Sequence, residues 1–200
     1  MSAPIEFYFD FSSPYGYLAA ERIDAAAARH GREVTWRPYL MGVAMKVTGS
    51  SPIVNRPMLG EYSRRDMERS ARRLKVPFSF PEPFPIATIA ACRAVYWRER
   101  AGTEEAKSLA RALYRAYFAD GRNISESDVV ADVAAESGAD RDALIEGIQD
   151  PAVKDRLKEV TNDAVARGIF GSPFFVVDGE PFWGHDRMDE VERWLETGGW

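Results

Sequence analysis

The chain has 200 residues, of which 46% are hydrophobic, enough for one large domain or for one domain carrying an insertion. Its 26 basic and 31 acidic side chains give a net charge of -5, which argues against a general affinity for nucleic acid or for anionic membranes. The single cysteine, Cys92, excludes a disulfide within the chain and a cysteine-rich zinc site.

No segment of the sequence is long and apolar enough to predict a membrane span, and the N-terminus lacks the basic start and apolar run of a secretory signal. We therefore expect a soluble, cytoplasmic protein. Cys92 falls on the apolar stripe of a predicted helix, so we expect its thiol to be buried and unreactive.

The first forty residues predict a strand, a helix and a second strand. Residues 5–11 are dense in aromatic and β-favouring side chains, and the helical composition that begins after Pro14 continues to about His30. Residues 33–38 then alternate in hydrophobicity up to Pro38, as expected of a strand. The chain therefore opens with a βαβ unit.

The end of the chain predicts a ββα unit. Residues 173–177 form an apolar, β-branched run, and Asp178-Gly179 is a hairpin-turn signal before a second strand at residues 180–183. A helix from about residue 187 to 197 follows.

The long middle of the sequence is helical in pattern. Neither end of the chain could bury its sheet alone, so we predict an α/β fold in which residues 1–40 and 168–200 form one discontinuous domain. Residues 41–167 form a large all-helical insertion into it.

Ser13 is the first candidate functional residue. Pro14 suits the first position of a helix, which makes Ser13 the natural N-cap and places its hydroxyl at the start of that helix. Capping alone is one interpretation, and stabilisation of an anion such as a thiolate is the other. Far along the chain, Ser172-Pro173 precedes a predicted strand, where a cis peptide bond is plausible.

The order of these features resembles a thioredoxin-like fold with a helical insertion. In thiol oxidoreductases of that kind cysteines stand where this chain has Ser13 and Gly16, so disulfide chemistry is not expected. The chain is more similar to the 2-hydroxychromene-2-carboxylate isomerases and the kappa-class glutathione transferases. The motifs that carry this resemblance are Phe7-Tyr8-Phe9-Asp10-Phe11 with Ser13-Pro14, Met45-Lys46-Val47-Thr48-Gly49, Asn55-Arg56-Pro57, Phe170-Gly171-Ser172-Pro173-Phe174 and Trp183-Gly184-His185-Asp186-Arg187.

The resemblance implies glutathione as a cofactor, with its sulfur held by Ser13. Lowering a thiol pKa from about 8.5 to about 6.5 requires about 2.7 kcal/mol of preference for the thiolate. A hydroxyl hydrogen bond to an anion contributes about 1.5 to 3 kcal/mol, and a helix N-terminus adds about 0.3 to 1 kcal/mol. Ser13 is then a donor to the sulfur rather than a nucleophile.

The same resemblance implies further contacts to glutathione. The backbone at Ser172 and Pro173 would pair with its cysteinyl unit, and the segment Trp183, Gly184, His185 and Asp186 would hold its γ-glutamyl end. For Asp186 we weigh two interpretations, an ion pair with the ligand ammonium and capping of the last helix.

Substrate recognition is assigned, on the resemblance, to Lys46, Asn55 and Arg56, which would bind a small aromatic carboxylate. Phe84, in the proline-rich loop, would pack on the aromatic ring, although a place in the core explains it equally well. A group of arginines on one predicted helix is interpreted as a solvated face: Arg64, Arg65, Arg69, Arg72 and Arg73.

The function that the resemblance implies is interconversion of 2-hydroxychromene-2-carboxylate and trans-o-hydroxybenzylidenepyruvate in aromatic-hydrocarbon breakdown, by reversible addition of a thiolate. Two alternatives remain: a kappa-class-like transferase that conjugates electrophiles to glutathione, and a thioredoxin-fold module that binds thiols or peptides without catalysis. We expect a homodimer, by kinship, and no metal cofactor.

Overall fold

A computed structural model describes residues 3–200. Within that range the strands are β1 (Ile5–Phe9), β2 (Val34–Pro38), β3 (Phe174–Val177) and β4 (Glu180–Trp183). The helices are α1 (Pro14–Ala20), α2 (Ile23–Arg29), α3 (Met41–Thr48), α4 (Leu59–Leu74), α5 (Ile89–Arg98), α6 (Thr103–Phe118), α7 (Ser127–Glu136), α8 (Arg141–Gly147), α9 (Pro151–Ala166) and α10 (Met188–Thr197). Short 3-10 turns lie at Ile53–Asn55 and His185–Arg187.

The four strands form one mixed sheet in the order β2-β1-β3-β4. β1 runs parallel to β2, with Ile5 opposite Val34, and antiparallel to β3, with Phe7 opposite Phe175. β3 and β4 form a hairpin whose turn residues Asp178 and Gly179 have φ angles of 52° and 92°. Such positive φ values match the right-handed twist of a tight hairpin. The strand order and pairing confirm the predicted βαβ and ββα units.

β1 lies inside the sheet with other elements packed on both of its faces, which explains its aromatic composition. Phe7, Tyr8 and Phe9 are fully buried. The rings of Phe7 and Phe9 meet Trp36 of β2 edge to face at 5.1 and 5.4 Å. A strand buried on both faces is expected to read as a nearly continuous apolar run, and this one does.

The first helix differs from the prediction. The sequence predicts one helix to about His30, whereas the structure has α1 and α2, separated at Glu21 and Arg22. There the Arg22 N–H donates to the Ala19 carbonyl at 3.0 Å, a tighter turn than that of an α-helix. The helix that begins after Ser13 is therefore only seven residues long.

The helices of residues 41–167 pack against one another and against the sheet. α5 contacts α6 and α9, while α9 also packs on β2. One continuous cluster of buried side chains includes residues of both the sheet and these helices. The domain boundaries at residues 40 and 168 stay a prediction.

Cys92 is fully buried on α5, as predicted. Burial raises the pKa of its thiol well above the ordinary value. No helix in the part of the chain that the structure describes has the length and hydropathy needed to cross a membrane.

Gly16 of α1 provides a test of the packing between α1, α6 and the loop before β3. A Cβ atom at this position would lie 2.5 Å from the Tyr114 hydroxyl oxygen and 2.8 Å from Ser172 Oγ. We expect Gly16→Ala to lower the free energy of unfolding by about 1 to 3 kcal/mol, measured by urea denaturation, because a packed interior tolerates no added methyl group without strain.

Gly42→Ala is the matched control, since Gly42 also lies in the first turn of a helix but has no atom within 4 Å of the added Cβ. It should leave stability unchanged or raise it by about 0.5 to 1 kcal/mol. Equal unfolding midpoints for the two variants would contradict the packing described at Gly16.

Candidate active site

Ser13 caps α1 and contacts the distant loop before β3 with the same hydroxyl. Its backbone is extended, and its Oγ accepts a hydrogen bond from the Gly16 N–H at 3.0 Å, which confirms the predicted N-cap. The hydroxyl donates a hydrogen bond to the Ser172 carbonyl at 2.7 Å. Ser13 is only 5% exposed. The Ser13 hydroxyl therefore both accepts and donates a hydrogen bond within the protein.

The loop that accepts the hydrogen bond from Ser13 is itself held by hydrogen bonds. The Asp10 N–H donates to Ser172 Oγ at 3.0 Å, the Tyr39 hydroxyl donates to the Gly171 carbonyl at 2.8 Å, and the Gly184 N–H donates to the Pro173 carbonyl at 3.1 Å. These hydrogen bonds hold the Ser172 carbonyl beside Ser13. The Ser172-Pro173 peptide bond is cis.

Asp10, at the end of β1, ties three parts of the chain to this site. Its carboxylate accepts from the Ser12 N–H at 2.8 Å, from the Met41 N–H at 2.9 Å and from the Thr88 hydroxyl at 3.1 Å. Burial raises the pKa of the Asp10 carboxyl, and these three donors act in the opposite direction. Asp10 thus fixes the turn that leads to Ser13 and the starts of α3 and α5.

Position 16, where the resemblance to thiol oxidoreductases places a second cysteine, has no space for a side chain. The Tyr114 hydroxyl, which donates to the Asp10 carbonyl at 3.0 Å, lies against Gly16 together with Ser172 Oγ. A side chain at position 16 would collide with both groups. The interpretation that the chain lacks disulfide chemistry therefore has a steric basis beyond the absence of cysteines.

Among the described residues, Ser13 also has no partner that could activate it as a nucleophile. Within residues 3–200 its hydroxyl contacts only the Ser172 carbonyl and the Gly16 N–H, and no basic side chain hydrogen-bonds to it. A hydroxyl attacks efficiently only when an adjacent base removes its proton. The arrangement suits donation of a hydrogen bond to an anion.

Tyr15 connects Ser13 to the segment before α10. Its ring stacks on His185 at 4.9 Å, and its hydroxyl donates to Asp66 of α4 at 2.7 Å. Burial lowers the pKa of His185, which favours the neutral imidazole. Sequence reasoning missed Tyr15 and Asp66, since nothing in the sequence indicates that α4 lies beside α1.

Asp186 has an exposed carboxylate with no hydrogen bond or ion pair to other residues within 3–200. Capping, one of its two interpretations, is wrong: α10 begins at Met188, and no side chain caps it. Gly184, with a φ of 113°, lies so close to Asp186 Oδ1 that a Cβ atom would not fit. The carboxylate is free to meet a cation.

Trp183 borders the same surface. It is 56% exposed, meets Phe170 edge to face at 4.9 Å and leaves no space for a side chain on Gly171. The structure therefore brings together the whole set that was predicted for glutathione: Ser13, Ser172, Pro173, Trp183, Gly184, His185 and Asp186.

The residues predicted for the substrate lie on separate elements, and no contact in residues 3–200 joins them to Ser13. Lys46 is exposed on α3, whose first N–H is bound by Asp10. Asn55 is exposed in a 3-10 turn, and Arg56 Nε donates to the Ser51 carbonyl at 3.1 Å. These side chains are accessible, and only Arg56 is held in place.

Phe84 is half-buried and packs on Phe80 at 5.5 Å and Phe118 at 6.2 Å, so part of its ring belongs to the aromatic core. Its loop is linked to the site because the Ile86 N–H donates to Ser12 Oγ at 3.1 Å. The guanidinium of Arg64 lies over the Phe80 ring at 4.7 Å, without an acidic partner in the described residues.

The other arginines of α4 are largely solvated, as predicted. Arg65 and Arg72 form exposed pairs with Glu61 and Glu68, at 2.9 and 4.0 Å. Arg64 was grouped with them because it shares their helix, and only the folded chain shows that it faces the loop beside Ser12.

No cluster of three or more potential ligand side chains for a metal occurs among the described residues.

Comparison with known proteins agrees with this geometry. The profile of a protein family described as "DSBA-like thioredoxin domain" matches residues 4–196. A 2-hydroxychromene-2-carboxylate isomerase from Sphingobium xenophagum is 32% identical over 197 residues, which cover 98% of this chain and 99% of the relative. Human glutathione S-transferase kappa 1 is 27% identical over 208 residues, covering 96% and 92%.

The solved structure of a 2-hydroxychromene-2-carboxylate isomerase superposes with a TM-score of 0.87 over 97% of this chain and 95% of its own, at 24% sequence identity. At 24% identity this structural similarity is evidence for the fold alone. Family membership is shown by the family profile and by the relative with 32% identity, both of which cover nearly the whole sequence. The chain belongs to the DsbA-like thioredoxin-domain proteins and, among them, to the 2-hydroxychromene-2-carboxylate isomerase family.

Proposed function

We propose that the protein is a glutathione-dependent isomerase that interconverts 2-hydroxychromene-2-carboxylate and trans-o-hydroxybenzylidenepyruvate, a step of aromatic-hydrocarbon breakdown. The observation that carries the proposal is the Ser13 hydroxyl, a hydrogen-bond donor without an activating base among the described residues, in a site with no cysteine and no space for one at Gly16. The isomerase and kappa-transferase names of relatives that span the chain support it.

The residues of the site fit glutathione chemically. The free carboxylate of Asp186 suits the γ-glutamyl ammonium, and the fixed Ser172 carbonyl suits a peptide N–H. The chemistry supplied by bound glutathione is a thiolate nucleophile, whose reversible addition to a conjugated carbon lets the substrate's double bond rotate. The task left to the chain is to hold the sulfur as its anion.

Ser13 provides most of that stabilisation in this proposal. A helix of seven residues contributes only weakly, so the hydrogen bond from the hydroxyl, about 1.5 to 3 kcal/mol, has to supply most of the thiolate preference. The hydroxyl must first leave the Ser172 carbonyl, and a buried carbonyl without a donor costs about 1 to 3 kcal/mol. The gain is kept in full where the bound peptide supplies that carbonyl with an N–H donor.

The substrate, a small aromatic carboxylate, would be bound by the cations around the site. We keep Lys46, Asn55, Arg56 and Phe84 in this role and add Arg64, whose guanidinium lies over an aromatic ring in the loop that is tied to Ser12. A homodimer is proposed from the family alone.

Ser13→Ala tests the central role. Because loss of the hydroxyl removes about 1.5 to 3 kcal/mol of thiolate stabilisation, we expect the pKa of bound glutathione, measured by thiolate ultraviolet absorbance, to rise by about 1 to 2 units. The isomerase kcat/KM near neutral pH should fall about 10- to 100-fold.

The matched control is Asp140→Ala, which removes the N-cap of α8 on another part of the chain, where Asp140 accepts from the Ala143 N–H at 2.9 Å. Both variants should lose about 0.5 to 2 kcal/mol of stability through the lost cap. Only Ser13→Ala should lose activity, and an equal loss in both would assign the effect to folding.

A direct assay separates the isomerase from the transferase alternative. We expect 2-hydroxychromene-2-carboxylate to be converted with no consumption of glutathione, since the thiol is returned after each turnover. Loss of thiol with 1-chloro-2,4-dinitrobenzene, and no isomerisation, would favour the transferase. Binding of extended peptides without turnover of either compound would favour a non-catalytic module.

Arg64→Ala tests the added substrate contact, with Arg65→Ala as its control on the same helix. Arg65 already pairs with Glu61, whereas Arg64 has no acidic partner in the described residues. We expect Arg64→Ala to raise KM for the carboxylate substrate roughly fivefold, about 1 kcal/mol, with little change in kcat. The same rise in both variants would indicate a general charge effect.

A further inference from the structure

Ser12, the residue before Ser13, carries a hydroxyl that the proposed function leaves unused. Its Oγ accepts a hydrogen bond from the Ile86 N–H at 3.1 Å, and the same hydroxyl donates to no acceptor within residues 3–200. A serine hydroxyl has one proton and two lone pairs, so it can accept one bond and still donate another. The proton of Ser12 is therefore available to a ligand.

The buried hydroxyls near Ser12 are committed to acceptors of the protein. The hydroxyls of Tyr114 and Thr88 donate to Asp10, at 3.0 and 3.1 Å. The Tyr39 hydroxyl donates to a backbone carbonyl at 2.8 Å. Ser12 differs from these groups because its side chain is only half-buried and its proton is not taken by the protein.

The oxygen of Ser12 is held in place from two directions. The Ser12 N–H donates to the buried Asp10 carboxylate at 2.8 Å, which fixes the turn. The Oγ is held by the N–H of Ile86, two residues after Phe84 in the proline-rich loop. The proton can still rotate about the Cβ–Oγ bond. A donor whose oxygen is fixed before the reaction needs little reorganisation during it.

Ser12 lies between the groups that the proposed function assigns to the two reactants. Ser13, its neighbour in the chain, is proposed to hold the sulfur. The loop bonded to Ser12 carries Phe84, and the Arg64 guanidinium lies over the Phe84 ring at 6.0 Å, where the aromatic carboxylate is proposed to bind. The free proton is thus next to both the sulfur and the substrate in that proposal.

We propose that Ser12 is a catalytic residue, whose hydroxyl donates a hydrogen bond to the ketone oxygen of the ring-opened substrate as negative charge develops there. When the C–S bond forms at the conjugated carbon, the C=C electron pair shifts toward the carbonyl carbon and one pair moves onto the ketone oxygen. Elimination returns that pair and breaks the C–S bond. Ser12 keeps its proton throughout, and no other reactant is consumed.

The inference rests on the proposed function and adds to it the group that stabilises the substrate's charge. Its test compares Ser12→Thr with Ser12→Val, which have the same shape and differ in the hydroxyl. Loss of a preorganised donor to a developing charge costs about 10²- to 10³-fold in kcat in an enclosed site. For a half-buried donor we expect kcat of Ser12→Val to be about 10- to 100-fold below that of Ser12→Thr.

The pKa of bound glutathione should be equal in the two variants, because Ser12 makes no hydrogen bond to the Ser13 hydroxyl. A change in folding around Ser13 would alter that pKa, so this measurement separates a catalytic role from a structural one. Ser12→Ala, compared with the unmodified protein, repeats the kcat comparison without added methyl groups.

Tyr117→Phe is the matched control for the loop contact, since Ser12→Val also removes the acceptor of the Ile86 N–H. The Tyr117 hydroxyl anchors the same loop by donating to the Pro83 carbonyl at 2.8 Å. Its removal should leave kcat nearly unchanged. An equal fall of kcat in Tyr117→Phe and Ser12→Val would assign the effect to the loop and overturn the role of Ser12.

A second readout requires no turnover. A glutathione analogue with a methyl group in place of the SH group fills the site without reacting, and the absorption band of trans-o-hydroxybenzylidenepyruvate then reports a hydrogen bond to its ketone. We expect a red shift with Ser12→Thr and a smaller one with Ser12→Val. Equal red shifts and equal kcat values in these variants would overturn the inference and leave the proposed function standing. No isomerisation by the unmodified protein would contradict both.

Discussion

The hydrogen bond from Ser13 to the Ser172 carbonyl is the contact on which the site depends. It joins residues that are 159 positions apart, and so it links the βαβ unit at the start of the chain to the ββα unit at its end. Asp10 supports it from both sides, since its N–H holds Ser172 Oγ and its carboxylate holds the Ser12 N–H. The helical middle of the chain contributes Tyr114 of α6 and Thr88, the residue before α5, to the same group.

If the proposed function is correct, this arrangement explains how a DsbA-like thioredoxin domain acts without a cysteine in the site. The resemblance implies that the Ser13 hydroxyl takes the place of a reactive thiol, and Tyr114 fills the space that a Cβ atom at Gly16 would need. In the proposed function, the Ser172 carbonyl receives a peptide N–H and the Ser13 hydroxyl holds an anion. The free carboxylate of Asp186 offers a partner for the ligand's cationic end.

Local patterns predicted the sheet, the hairpin at Asp178 and the cap at Ser13 because each depends on neighbouring residues. The break between α1 and α2 was not predictable, since residues 20–22 contain neither glycine nor proline and the bend accompanies an ion pair from Glu21 to Arg115 of α6, 3.1 Å long. The role of Asp10 was hidden for a similar reason. Its partners Met41 and Thr88 lie 31 and 78 residues further along.

A crystal structure of the complex with glutathione tests the central claim most directly. The account predicts the sulfur within hydrogen-bond distance of Ser13 Oγ, the cysteinyl nitrogen about 2.9 Å from the Ser172 carbonyl oxygen, and the ammonium beside Asp186. A sulfur bound away from Ser13, or a Ser172 carbonyl that receives no donor from the ligand, would contradict it.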